Sequence, residues 1–175
     1  MATPSTSPSP LDPAAVPRTL RLMVTTFAAA LVMITLLSLV AVPPAEEDIP
    51  VAVLVLGVLL VALGAFAARA IGFRTTPLTP SDVDGSTRTA LRTSLARFQV
   101  STLLRLALTE APFLVVFAAS LVLPYGPWPV VVALVPGLVL MVLLAWPSRR
   151  NVRWFTERLE ADGVRSGLPD AFGHA

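Results

Sequence analysis

The sequence predicts an all-α, polytopic membrane protein with four transmembrane helices, short amphipathic helices on the cytoplasmic side, and both termini cytoplasmic. Three observations lead there. First, four apolar segments are each about 20 residues long, enough to cross a ~30 Å hydrocarbon layer as a helix rising ~1.5 Å per residue. Leu22 to Val42, Ile49 to Ala68 and Val130 to Trp146 carry no charge, and Leu106 to Leu123 carries only Glu110. Second, all 13 basic residues, every one an arginine, fall before the first segment, between the second and third, or after the fourth. Third, the connections on the other side hold only Glu46, Glu47 and Asp48 as charges. Short basic loops stay in the cytoplasm, which places both termini there.

Residues 1–17 are Ser, Thr and Pro-rich with a single acid, too polar to bury a core, and are expected to be a disordered cytoplasmic tail. Arg18 and Arg21 before an apolar run resemble the start of a secretory signal. The run is too long for one, however, and has no small-x-small cleavage site, so it is expected to be retained as the first span. The transmembrane domain then covers 18–147, with spans at about 22–42, 49–69, 104–123 and 129–146. Pro43-Pro44 stops the first span. The turn from Pro43 to Pro50 is so short that spans one and two are expected to be antiparallel neighbours.

Residues 72–97 form the expected cytoplasmic loop, opening on the turn-rich stretch Thr-Pro-Leu-Thr-Pro-Ser-Asp-Val-Asp-Gly. From about Ser86 the chain regains helical periodicity. Leu91, Leu95, Phe98 and Thr102 recur on one face while Arg88 and Arg92 form a charged stripe, predicting an extension of span three that lies on the membrane surface or rises from it. Pro124 ends span three. The turn Tyr-Gly-Pro-Trp-Pro puts Tyr125 and Trp128 at headgroup level, as Trp146 does at the inner interface. Residues 148–175 are read as a cytoplasmic amphipathic helix to about 162, with Val152, Phe155 and Leu159 on its apolar face and Gly163 as its stop, followed by a tail.

Composition closes several function classes. A four-helix domain uses nearly all of the 175 residues. Without cysteine there are no disulfides, iron–sulfur clusters or thiolate zinc sites. The one histidine, His174, lies in the polar tail, which removes an intramembrane bis-histidine haem. No cofactor is expected. The net charge of +2 and the spread of arginines along a membrane boundary argue against nucleic acid as a partner. Asp82-Val83-Asp84-Gly85 resembles the start of a calcium loop but lacks the later ligands, which favours a cap and turn role. No phosphate-binding glycine loop, nucleophile elbow or metal-ligand spacing is present, and an enzyme is not expected.

Glu110 is the most informative residue. A carboxyl within a span costs about 2.5–3.5 kcal/mol at the bilayer centre on insertion scales, and less near a boundary. Counted from Arg105 it lies about one turn inside the membrane. Arg105 is about 140° away around the helix, so Arg69 at the inner end of span two is the expected cross-helix partner. Thr25 and Thr26 lie at a similar depth as hydrogen-bond donors. Two readings stay open: a polar clamp that fixes packing, and a proton- or ion-binding carboxyl. Pro112 and Pro136 are candidate kinks, since each removes a helix hydrogen bond, and kinks either line cavities or are absorbed by packing. Gly64-xxx-Ala68 and Ala107-xxx-Ala111 are small-residue pairs suited to close helix contact.

The stretch Arg-Leu-Ala-Leu-Thr-Glu-Ala-Pro-Phe-Leu-Val-Val-Phe at 105–117, with the closing Ala-Trp-Pro-Ser-Arg-Arg, resembles small bacterial four-helix inner-membrane proteins of unknown function. The same stretch is similar to the carboxyl-bearing helix of the ATP synthase c subunit, which would imply proton carriage by Glu110. The glycine ladder of that family is reduced here to Gly57 and Gly64, and Glu110 is shallower than the family's carboxyl. The expected function is a non-catalytic accessory or structural subunit of the bacterial plasma (inner) membrane, packed against another membrane protein or against itself. The arginines have two equal readings, a topology signal alone or contacts with anionic lipid headgroups of the bilayer. The alternative is a small transporter or proton-coupled component that uses Glu110.

Overall fold

The computed structural model describes residues 15–45, 48–83 and 86–173. Most of the N-terminal tail, Glu46, Glu47, Asp84, Gly85 and His174 lie outside the described residues. Within them the chain is helical, with no strand: α1 (Ala15–Ala41), α2 (Val51–Gly72), α3 (Pro80–Val83), α4 (Thr87–Ser120), α5 (Trp128–Ala145), α6 (Arg149–Leu159) and α7 (Leu168–Ala171). Four of these, α1, α2, α4 and α5, are long and apolar enough to cross a membrane.

The four long helices run alternately up and down. Along the α2–α4 interface Gly57 meets Val116, Gly64 meets Pro112 and Leu108, and Gly72 meets Arg105, which makes that pair antiparallel. Helices α2, α4 and α5 pack closely on one another, and α1 leans on α4 and α5. The expectation that spans one and two are neighbours is corrected here: α1 and α2 sit on opposite sides of the α4–α5 pair. A short connection limits how far two helix ends can separate, but it does not choose lateral neighbours. Glycines at 64 and 72, where a Cβ would overlap Pro112, Leu108 and Arg105, let α2 approach α4 closely. The core between the long helices is apolar, built on Val24, Leu31, Val61, Leu106, Phe113, Val130 and Met141.

The helices extend beyond the apolar spans at the arginine-rich end. The described part of α1 includes Val16 and Leu20, which are buried. Helix α2 ends at Gly72, within the stretch where the sequence places its stop. Helix α4 starts at Thr87, close to Ser86 where the helical periodicity resumes, and is continuous for 34 residues, about 51 Å at the α-helical rise, well beyond a ~30 Å hydrocarbon layer. Helix α3 opens with one half of a capping box, in which the Asp82 carboxylate accepts from the Thr79 N–H at 3.0 Å. That bond, helped by Arg97 at 3.2 Å, holds the Asp82 carboxyl below the usual carboxylate range. Helix α6 ends at Leu159, four residues before Gly163, and Ser148 caps its start by accepting from the Asn151 N–H at 3.3 Å.

The projecting part of α4 does not lie flat. Leu95 and Phe98 pack with Val16, Leu20 and Leu78, and with Val152, Phe155 and Leu159 of α6 and Leu168 and Phe172 at α7. Phe98 makes edge-to-face contacts with Phe155 and Phe172, both at 5.2 Å between centroids. Leu95 and Phe98 of α4 and Val152, Phe155 and Leu159 of α6 are therefore turned onto one another, forming a second small core that closes the arginine-rich end. At the other end Gly126, with φ of +65°, brings the α4–α5 turn against Pro43 and Ala45 of the α1–α2 connection.

Candidate functional site

Both α2 and α5 finish at the arginine-rich end. Each leaves unpaired carbonyls and the negative end of its dipole there. Side chains from other elements answer them. Ser101 donates its hydroxyl proton to the Gly72 carbonyl, and Arg158 donates from Nη1 to the Phe73 carbonyl at 2.7 Å. Asn151 donates from Nδ2 to the carbonyls of Trp146, Leu143 and Leu144 at 2.8, 3.0 and 3.3 Å.

Arg105 stands at the centre of this arrangement and is fully buried. Its Nη1 donates to the Leu144 carbonyl at 2.7 Å, Nη2 to the Thr102 hydroxyl at 3.0 Å, and Nε to the Ser101 carbonyl at 3.1 Å. The guanidinium carbon lies 4.1 Å from the Phe73 ring centroid and 5.4 Å from that of Phe98. Among the described residues the ion pairs are Arg97–Asp82 and Arg153–Glu157, so no carboxylate neutralises Arg105. Carbonyl dipoles and ring faces stabilise the charge instead. With its donors committed to fixed protein acceptors, Arg105 ties α4 to the ends of α2 and α5 and is a poor candidate for proton transfer.

This role was missed because Arg105 stands at the edge of an apolar run, where an interfacial arginine would also stand. A clue was present: Phe98, Ser101, Thr102, Arg105 and Thr109 share one helical face, and all are buried. Thr102 and Thr109 return their hydroxyl protons to carbonyls of their own helix, at Phe98 and at Arg105 and Leu106.

The structure does not join the other expected site residues. Glu110 is half-buried, with no hydrogen bond or ion pair among the described residues. The reason is helical phase. Leu108 of α4 lies against α2, and Glu110 is two residues on, about 200° around the helix, facing away from Arg69. Thr25 and Thr26 are exposed, and their hydroxyls donate to the carbonyls of Arg21 and Leu22 on their own helix. Around Glu110 the surface of α4 is apolar and open, with Leu103, Ala107, Ala111 and Leu114 exposed.

Pro112 does not open a cavity. Its ring and the Leu108 carbonyl, left without its usual donor, are covered by the backbone of α2 at Gly64, where a Cβ would overlap both. Beside Pro136, Gly137 receives the Phe113 ring and Val61, with ring and methyl carbons 3.7 and 3.9 Å from where its Cβ would be. Arg69 instead joins a cluster at the α2–α5 edge. Its guanidinium carbon lies 4.6 Å from the Trp154 ring centroid, and that of Arg150 lies 4.3 Å from the same centroid.

Compared with protein-family models, curated proteins and solved structures, the chain matches none of them.

Proposed function

We propose that the protein is a non-catalytic accessory subunit of a bacterial plasma membrane, with its arginine-rich end and both termini in the cytoplasm, and that it docks another membrane protein on the Glu110 face of α4. The orientation rests on the arginines gathering at one end of the four spans. The docking role rests on one observation: the Glu110 side chain lies partly exposed in the apolar stretch of α4 without a partner among the described residues, beside exposed Ala107 and Ala111. A carboxyl in hydrocarbon is costly until a neighbour supplies donors, and small residues let a second helix come close enough to do so. The packed interior argues in the same direction, since Phe113, Leu106, Val61 and Met141 fill the space a translocation path would need.

The test is gentle extraction from native membranes followed by native mass spectrometry of the intact assembly. A stoichiometric complex with a different membrane protein is expected. It should survive Glu110→Gln, which keeps hydrogen-bonding capacity, and weaken about tenfold in Glu110→Leu, the scale of one interhelical hydrogen bond in lipid. A partner-free chain whose Glu110 reacts with a hydrophobic carbodiimide in a pH-dependent manner would sink this reading and make the carboxyl a proton carrier.

A further inference from the structure

A groove of about 320 Å³ runs along the α2–α5 edge at the arginine-rich end, on the far side of α2 from Glu110. Its two halves differ in chemistry. The part toward the membrane centre is walled by Ala62, Ala65 and Phe66 of α2 and by Leu140 and Leu143 of α5. Phe66 and Leu143 are 69% and 60% exposed, so the groove opens sideways, toward where lipid would lie. The part at the membrane boundary is rimmed by Arg69, Arg150, Asn151 and Trp154.

The rim is unusual for its unanswered charge. Arg69 and Arg150 come from different helices, α2 and α6, and both lie against the Trp154 ring. A guanidinium held over an indole by cation–π attraction is positioned without spending its N–H donors on a protein acceptor. Arg105, Arg158 and Arg97 give their donors to protein acceptors, whereas Arg69 and Arg150 give none to any described residue. Two carboxylates border the adjoining pockets: Glu157, beside Arg69 and Trp154, is ion-paired to Arg153 at 3.4 Å, and Glu160, which lines a pocket with Arg150, accepts from the Ser166 N–H and hydroxyl at 2.8 and 2.7 Å. Two positioned cations without an ion-pair partner among the described residues, directly above an apolar groove open to the bilayer, complement a molecule that is anionic at one end and acyl at the other.

We propose that this groove binds one anionic phospholipid of the leaflet at the arginine-rich end. The phosphate is held between Arg69 and Arg150 on the Trp154 platform, and an acyl chain lies along Ala62, Phe66 and Leu143. A basic pocket between spans at this level has the chemistry expected for such headgroups. The geometry also distinguishes this site from the general basic surface, because Arg88 and Arg92, likewise exposed on α4, do not line this groove.

The experiment uses the full chain, delipidated in detergent and titrated with phosphatidylglycerol, phosphatidylcholine or glycerol 3-phosphate, with bound molecules counted by native mass spectrometry. One phosphatidylglycerol is expected to be retained selectively. The double variant Arg69→Gln/Arg150→Gln should weaken that retention about thirtyfold, at the strength typical of two surface arginines on an anionic leaflet. Arg88→Gln/Arg92→Gln, which removes the same charge elsewhere on the same end, should leave it unchanged. Ala62→Phe, which fills the apolar half and touches no charge, should also lose the lipid while the chain elutes as a single folded species. Equal retention of phosphatidylcholine, equal loss in the Arg88/Arg92 variant, or full competition by glycerol 3-phosphate would each overturn the proposal. So would unchanged binding in Ala62→Phe.

Discussion

Arg105 and Glu110 are five residues apart on one helix, yet only one has been given partners by its own chain. Three hydrogen bonds and two ring faces surround the guanidinium, so its removal strips the Leu144 carbonyl of its shorter donor, leaving it only the 3.3 Å bond from Asn151, and takes from the Thr102 hydroxyl the donor it accepts from. Arg105→Met, similar in length but without donors, is expected to destabilise the protein by about 3 kcal/mol, the scale of losing hydrogen bonds to a buried charge. Arg105→Lys should recover only part, because an ammonium cannot span the same fork of acceptors. Thermal unfolding in detergent reads both; a melting temperature unchanged in Arg105→Met would show that the cage carries no stability. What made Glu110 legible in the sequence was its isolation among apolar residues. The partner expected for it was not legible, because helical phase relative to α2 depends on which face of α4 the other helices claim. Arg105 was hidden for a related reason: the residues that compensate it come from the ends of helices distant in sequence.

Between elements, the α2–α4 contact turns on where glycine is needed. At Gly64 a Cβ would overlap the Pro112 ring and the Leu108 carbonyl, whereas at Gly57 the nearest side-chain atoms, of Val116, lie 3.8 Å away, an ordinary contact distance. Gly64→Ala is therefore expected to push α2 off α4 and cost about 1–3 kcal/mol, as overpacking does. Gly57→Ala should be neutral, or stabilising by up to ~1 kcal/mol through helix propensity. Equal effects of the two, measured side by side by thermal unfolding, would refute the idea that Gly64 is the fitted position. The four spans were readable from hydropathy because the bilayer imposes length and apolarity on each one separately. Their lateral order was not, since it depends on close-packing details such as these. Likewise the residues of the repeat from Leu91 to Thr102 fall within α4, but periodicity does not say whether such a face meets lipid or protein.

For the molecule as a whole, one core lies among the spans and another closes the arginine-rich end, and a smaller cluster of Ala65, Ala68, Phe73 and Leu144 lies at the Arg105 level. Phe155 is buried in the second and Phe113 in the first. Phe155→Ala should cost about 3–5 kcal/mol locally and expose 149–173 to proteolysis while the span core persists. Phe113→Ala should instead loosen the spans and leave 149–173 comparatively resistant. Limited proteolysis with mass mapping of the fragments distinguishes the two, and identical cleavage patterns would mean that the cores open as one unit.

The carbonyls at the ends of α2 and α5 wait for Asn151 and Arg158, which follow all four spans in the chain. During synthesis the membrane part is therefore complete in sequence before the residues that seal it have left the ribosome. In that interval Phe98, Leu95 and Leu20 lack their α6 covering, and the nascent protein shows apolar surface to the aqueous side of the membrane. A chain that stalls after its last span would keep showing that surface, the kind of mark by which a chaperone or protease tells an unfinished product from a finished one.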